Sequence, residues 1–131
     1  MKYVLVLLMV LAIVPATSHQ ARAIESAREL VSSCEELEKG REGAGKEILI
    51  PGSGPALLCW GYMQAMQDLS VLVDQRGQRV IGSCPPEQAT SIELIQAVLV
   101  YARAHPRDLD GNAAALVIQA LQAKFPCPPS G

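Results

Sequence analysis

Four cysteines, two histidines and a scatter of carboxylates are the side chains in this sequence with chemistry to offer. The cysteines are Cys34, Cys59, Cys84 and Cys127. None belongs to a C-x-x-C pair, and zinc sites need Cys or His ligands at short, regular spacing. An even number of widely spaced cysteines fits disulfides instead. His19 lies in the N-terminal leader described below, which leaves His105 beside Pro106. An imidazole at a helix end meets the last backbone carbonyls sooner than a substrate. Glu35, Glu36 and Glu38 form a solvated helix face, and Asp68 is a lone carboxylate without a partner for acid–base work. The glycines between 40 and 54 match neither G-x-x-x-x-G-K-[ST] nor G-x-G-x-x-G. No catalytic set, metal site or cofactor site is expected. A domain without such chemistry acts by presenting a surface.

The chain has 131 residues, 50% hydrophobic and 18% charged, with a formal net charge of −2. That length is one domain. A balanced charge and no basic run argue against nucleic acid. One Trp, three Tyr and one Phe are too few for a platform that stacks bases. The N-terminus reads as a secretory signal peptide over residues 1–23. Lys2 supplies the positive end, Val4 to Val14 is an unbroken apolar run, and Ala21-Arg22-Ala23 is an A-x-A cleavage site. A second possible cut follows Ser18. The apolar run is too short to span a bilayer, which needs about 20 apolar residues. Residues 24–131 are then an exported, periplasmic domain with no membrane anchor. Loss of Lys2 and Arg22 leaves every acidic residue in place and moves the net charge to −4. All four cysteines lie in the exported part, where disulfides persist.

Hydrophobic spacing predicts helices throughout. The first runs from about Glu25 to Glu38, with Ala27, Leu30, Val31, Cys34 and Leu37 on one face and Gly40 as its stop. A Gly-rich loop follows over 40–55, holding Ile48-Leu49-Ile50. The second helix starts at Pro55, which suits a first turn, and is expected to reach about Gln75. Its expected buried stripe is Leu58, Tyr62, Ala65, Met66, Leu69, Leu72 and Val73. Thr90 and Glu93 form a capping box for a third helix that ends at His105-Pro106. Asp108, Asp110 or Asn112 caps a fourth, which runs to about Lys124 with Ala113, Leu116, Val117, Ala120 and Leu121 inward. The fold class is all-α: a small antiparallel bundle of about four helices, stapled by two disulfides.

Four cysteines allow three pairings. Antiparallel hairpin geometry selects one. Cys34, late in the first helix, and Cys59, early in the second, meet at the turn of the first hairpin. Cys84 precedes the third helix and Cys127 follows the fourth, so both sit at the open end of the second hairpin.

An ordered set of short motifs then resembles a known family. Cys59-Trp60-Gly61-Tyr62, with Ala65 and Asp68, is close to C-x-G-Y-x-x-[GA]-x-x-D. Cys84-Pro85-Pro86 is close to C-x-P. Val98, Tyr101, His105-Pro106 and Leu109 follow V-x-x-Y-x-x-x-H-P-x-x-L. Ala114, Leu116-Val117, Ala120-Leu121 and Phe125-Pro126-Cys127 complete the set. Together they resemble the Rap/Tai family of type VI secretion immunity proteins, from about Leu30 to Cys127. The resemblance implies a helical periplasmic protein, often a homodimer, with the same two disulfides. Its implied partner is a secreted peptidoglycan amidase, a Cys/His hydrolase that cuts the peptide stems of the cell wall. The long Gly-rich loop 40–54 departs from the family pattern. Gly61, Tyr62, Asp68, Tyr101, His105 and Pro106 are read as carriers of the fold. Specificity is expected in loops, which are free to vary. Asp74, Arg76, Gln78 and Arg79 in the loop 74–83 are the first choice for partner contact, and the loop 40–54 is the second. An alternative reading is a small periplasmic chaperone or acid-stress protein. Its mark would be apolar surface exposed as carboxylates protonate.

Overall fold

The computed structural model describes residues 24–43 and 52–129. The expected signal peptide and Ile48-Leu49-Ile50 lie outside the described residues. Four α-helices make the bundle: α1 Ala27–Gly43, α2 Gly54–Ser70, α3 Ser91–Ala104 and α4 Ala113–Lys124, with a 3-10 turn at Pro106–Asp110 between the last two. Among the described residues, β-pairing is limited to isolated bridges.

The start of the domain is tied to the start of its last helix. Ser26 pairs with Asn112, the Ala27 N–H donates to the Gly111 carbonyl at 3.0 Å, and Arg28 forms an ion pair with Asp110. The Ser26 hydroxyl also accepts from the Glu29 N–H at 3.2 Å, which starts α1. Ala27, Leu30, Cys34 and Leu37 are buried as the sequence predicts. Helix α1 runs past Gly40, however, to Gly43. A fork of two hydrogen bonds from Arg41 to Glu38, at 3.2 and 2.9 Å, spans the glycine. Pairs at this spacing support the helix across one poor residue.

Helix α2 opens on Ser53, whose hydroxyl accepts from the Ala56 N–H at 3.3 Å, with Pro55 in the first turn. It departs from the prediction in two ways. It stops at Ser70, not near Gln75. The Ser70 hydroxyl donates to the Gln67 carbonyl at 2.7 Å, and such back-bonding competes with the helical ladder. Its buried stripe is Ala56, Cys59, Met63, Met66 and Ser70. Leu58, Leu69, Leu72 and Val73 are exposed. The inward face mixes small residues, Ala56, Cys59 and Ser70, with two methionines, Met63 and Met66. Cys34 and Cys59 are bonded with their Cα atoms 5.0 Å apart.

Helix α3 begins with both halves of the capping box. The Thr90 Oγ1 accepts from the Glu93 N–H at 3.3 Å, and Glu93 Oε2 accepts from the Thr90 N–H at 2.7 Å. These bonds from Thr90, backbone first, hold the Glu93 carboxyl below its ordinary range. A lowered folded-state value stabilises above the ordinary carboxylate range, and the gain disappears as pH falls through the lowered value. Thr90→Ala is expected to cost about 1 kcal/mol at neutral pH. The Thr90 hydroxyl also donates to Glu93 Oε2 at 3.0 Å, and the alanine loses this part of the carboxylate's stabilisation, so the gap in melting temperature to the wild type should narrow in acid. An equal gap at both pH values would refute the capping-box account.

The end of α3 explains one motif. The His105 Nδ1 lies 2.9 Å from the Tyr101 carbonyl, and the two rings stack with centroids 3.9 Å apart. The Tyr101 hydroxyl donates to Asp108 at 3.4 Å. Partial burial, then the Asp108 charge, raises the phenol above its ordinary value. Tyr101, His105 and Pro106 thus close the helix and set the 3-10 turn. Asn112 is the cap of α4, accepting from Ala114 and Ala115 at 2.9 and 3.2 Å. The inward residues expected on α4 are all buried. Both predicted disulfides are present, Cys34–Cys59 and Cys84–Cys127.

Candidate binding surface

Beyond Ser70 the chain does not wander as a loop. It forms a narrow hairpin over 71–80. The Val80 N–H donates to the Leu72 carbonyl at 3.0 Å, the Asp74 N–H donates to the Gln78 carbonyl at 2.8 Å, and Val73 pairs with Arg79. The tip is an Asx-type turn. The Asp74 carboxylate accepts from the backbone N–H groups of Arg76 at 2.8 Å and Gln78 at 2.9 Å. Gly77 sits at φ +75°, where a side chain would be strained.

This geometry divides the four residues chosen from the sequence. Asp74 is used inside the turn. Arg79 is also used: its guanidinium donates to the Val71 carbonyl across the hairpin base at 2.6 Å. The side chains of Arg76 and Gln78 are exposed at the tip. Sequence reasoning missed the apolar collar below them. Leu69, Val71, Leu72, Val73 and Val80 are between 40% and 61% exposed. Three of these, Leu69, Leu72 and Val73, belong to the stripe that the sequence places in the core, the last two because the hairpin reads as more helix. A β-branched run with a D-x-x-G tip was the available signal. Clustered exposed aliphatics on a folded domain mark an interaction surface.

The collar continues along α2, whose outer face carries Leu57, Leu58, Gly61, Ala65 and Asp68, all exposed. Asp68 is the helix's single charged residue and is exposed. Tyr62 is half-buried against the core, and burial raises its phenol pKa. Gly61 does not serve packing within the chain, since a Cβ there would meet nothing within 4 Å. Glycine in a helix costs up to about 1 kcal/mol against alanine. Gly61→Ala is therefore expected to raise the melting temperature. A lower melting temperature would show a packing role.

At its far side the hairpin is anchored. Ile81 plugs the core, and the Gln122 side chain donates to its carbonyl at 2.9 Å. Gly82, at φ +65°, leaves room for Gln122, whose amide nitrogen would lie 2.9 Å from an added Cβ. The second loop favoured by the sequence, 40–54, falls largely outside the described residues. Gly52 and Ser53 lead into α2.

The structure is a disulfide-stapled helical bundle that carries an ordered hairpin flanked by exposed aliphatic side chains. A family model described as Rap1a immunity proteins matches residues 26–127. The chain belongs to that family of immunity proteins. No curated protein and no solved structure matches it.

Proposed function

We propose that the protein is the periplasmic immunity partner of a type VI secretion effector that hydrolyses peptidoglycan as an amidase. It acts by binding, after removal of residues 1–23. The observation that carries this reading is the hairpin 71–80, with Arg76 exposed at its tip above an aliphatic collar. A two-stranded hairpin with an exposed tip fits an enzyme cleft. Its tip would exclude substrate, the collar would pack on the cleft walls, and Arg76 would bond to acidic groups of the rim. Family membership supports an immunity role, and the two disulfides support export to an oxidising compartment.

The same reading includes pairing with a second copy, as the family resemblance implies. The nearly uncharged outer face of α2 is the surface we assign to it. Gly61→Arg should then sediment at half the mass of the wild-type protein, and an unchanged mass would rule out that face.

The test of the main proposal is affinity capture with the exported protein, disulfides intact, from lysate of its own cells. A peptidoglycan amidase recovered near one-to-one, and lost with Arg76→Glu, is the expected result. Recovery of many unrelated proteins, increasing in acid, would overturn it in favour of a chaperone.

A further inference from the structure

We propose that the Cys84–Cys127 disulfide is a reducible clamp that positions the binding hairpin, while Cys34–Cys59 holds the fold. The functional half of this inference rests on the hairpin being the effector-binding element.

The two disulfides differ in place. Cys34 and Cys59 are fully buried inside α1 and α2. Cys84 and Cys127 are both partly exposed and lie outside the helices. A dithiol reductant therefore reaches the second pair first, because thiol–disulfide exchange requires access to a sulfur.

The second pair also lies where the hairpin is attached. The hairpin leaves the end of α2 at Ser70 and returns to the bundle through residues 81–84. A side-chain bond and a backbone bridge fasten that return to the end of α4 beside the disulfide. Gln122 donates to the Ile81 carbonyl at 2.9 Å, and Ser83 pairs with Pro126, the Cys84 N–H donating to the Phe125 carbonyl at 2.8 Å. The bonds within 71–80 keep the hairpin's shape but do not fix its direction. That direction is set by the return segment.

The return segment is held against a local penalty. The Ser83 hydroxyl is buried with no hydrogen-bond partner. A buried hydroxyl without a partner regains hydrogen bonds when water reaches it. Once the covalent link is cut, opening of 81–84 hydrates Ser83 and frees the hairpin to swing.

The chemistry is ordinary exchange. A thiolate of the reductant attacks one sulfur of Cys84–Cys127 and forms a mixed disulfide. The reductant's second thiol then displaces the protein sulfur. Two electrons and two protons pass to the protein as two thiols, and the reductant leaves as a disulfide. A chain still in a reducing compartment lacks the clamp, so its binding surface is completed only after oxidation.

The test is limited reduction of the oxidised protein with dithiothreitol, followed by alkylation, peptide mapping and hydrogen exchange. Cys84 and Cys127 should be alkylated before Cys34 and Cys59. Protection of 71–84 should fall about tenfold or more while α1 and α2 stay protected. The variant Cys84→Ser/Cys127→Ser should reproduce this and bind the captured amidase at least tenfold more weakly, with its helical content kept. Reduction of Cys34–Cys59 first, or unchanged protection of 71–84 after the second pair is reduced, would overturn the clamp. Full affinity in the double variant would overturn its role in binding. If the oxidised protein binds no amidase, the functional proposal fails, and the exchange data still judge the clamp.

Discussion

Cys34→Ala/Cys59→Ala is expected to lower the unfolding free energy by about 3 kcal/mol, the size that loop-closure entropy assigns to a loop of this length. The bond spans a sequence separation of 25 and joins the two helices that carry much of the core. Both residues are fully buried, and the bond holds the α1 and α2 backbones with these Cα atoms 5.0 Å apart. A domain of this size has about 5–15 kcal/mol in total. The loss would therefore be a large share of its stability. Alanine is the right substitution, because a serine would add a buried hydroxyl with its own cost. Denaturant titration of the variant measures the effect. A loss below about 1 kcal/mol would mean that helix packing alone holds the seam, against the entropic account.

The second large effect concerns binding. Leu72→Asp with Arg76→Glu should weaken the proposed complex with an amidase by about 2–4 kcal/mol, which is roughly 30- to 1000-fold. Arginine is a frequent interface anchor, a carboxylate in place of Leu72 would be buried unpaired in the contact, and both sites are exposed in the free protein. The melting temperature should hardly change. Arg79→Ala provides the contrast. Its guanidinium bonds to the Val71 carbonyl, so its loss should loosen the hairpin as well as weaken the complex. Titration calorimetry and melting curves on the same samples separate the two cases. Unchanged affinity in the double variant would move the contact elsewhere.

The cysteine pairing, the capping box at Thr90 and the inward face of α4 were legible because each depends on local spacing or on simple hairpin geometry. The phase of α2 was not. Its most hydrophobic side chains, Leu57, Leu58 and Leu69, point outward, while Ala56 and Ser70 are buried. Periodicity weighted by hydrophobicity turns such a helix the wrong way, because the largest residues serve an outer surface. The same bias extended α2 over Leu72 and Val73 and concealed the hairpin. Gly40 failed as a stop because an ion pair one residue on spans it. The roles of Asp74 and Arg79 could not be separated from those of Arg76 and Gln78 by residue type. The separation needs the turn itself, where one carboxylate accepts two backbone N–H groups.

The central claim is inhibition by binding. Its most direct measurement is peptidoglycan hydrolysis by the captured amidase, titrated with the oxidised protein and with the Leu72→Asp/Arg76→Glu variant. Wild-type protein should stop hydrolysis at one equivalent per active site, and the variant should not at the same concentration. Hydrolysis that continues with the wild-type protein in excess would contradict it.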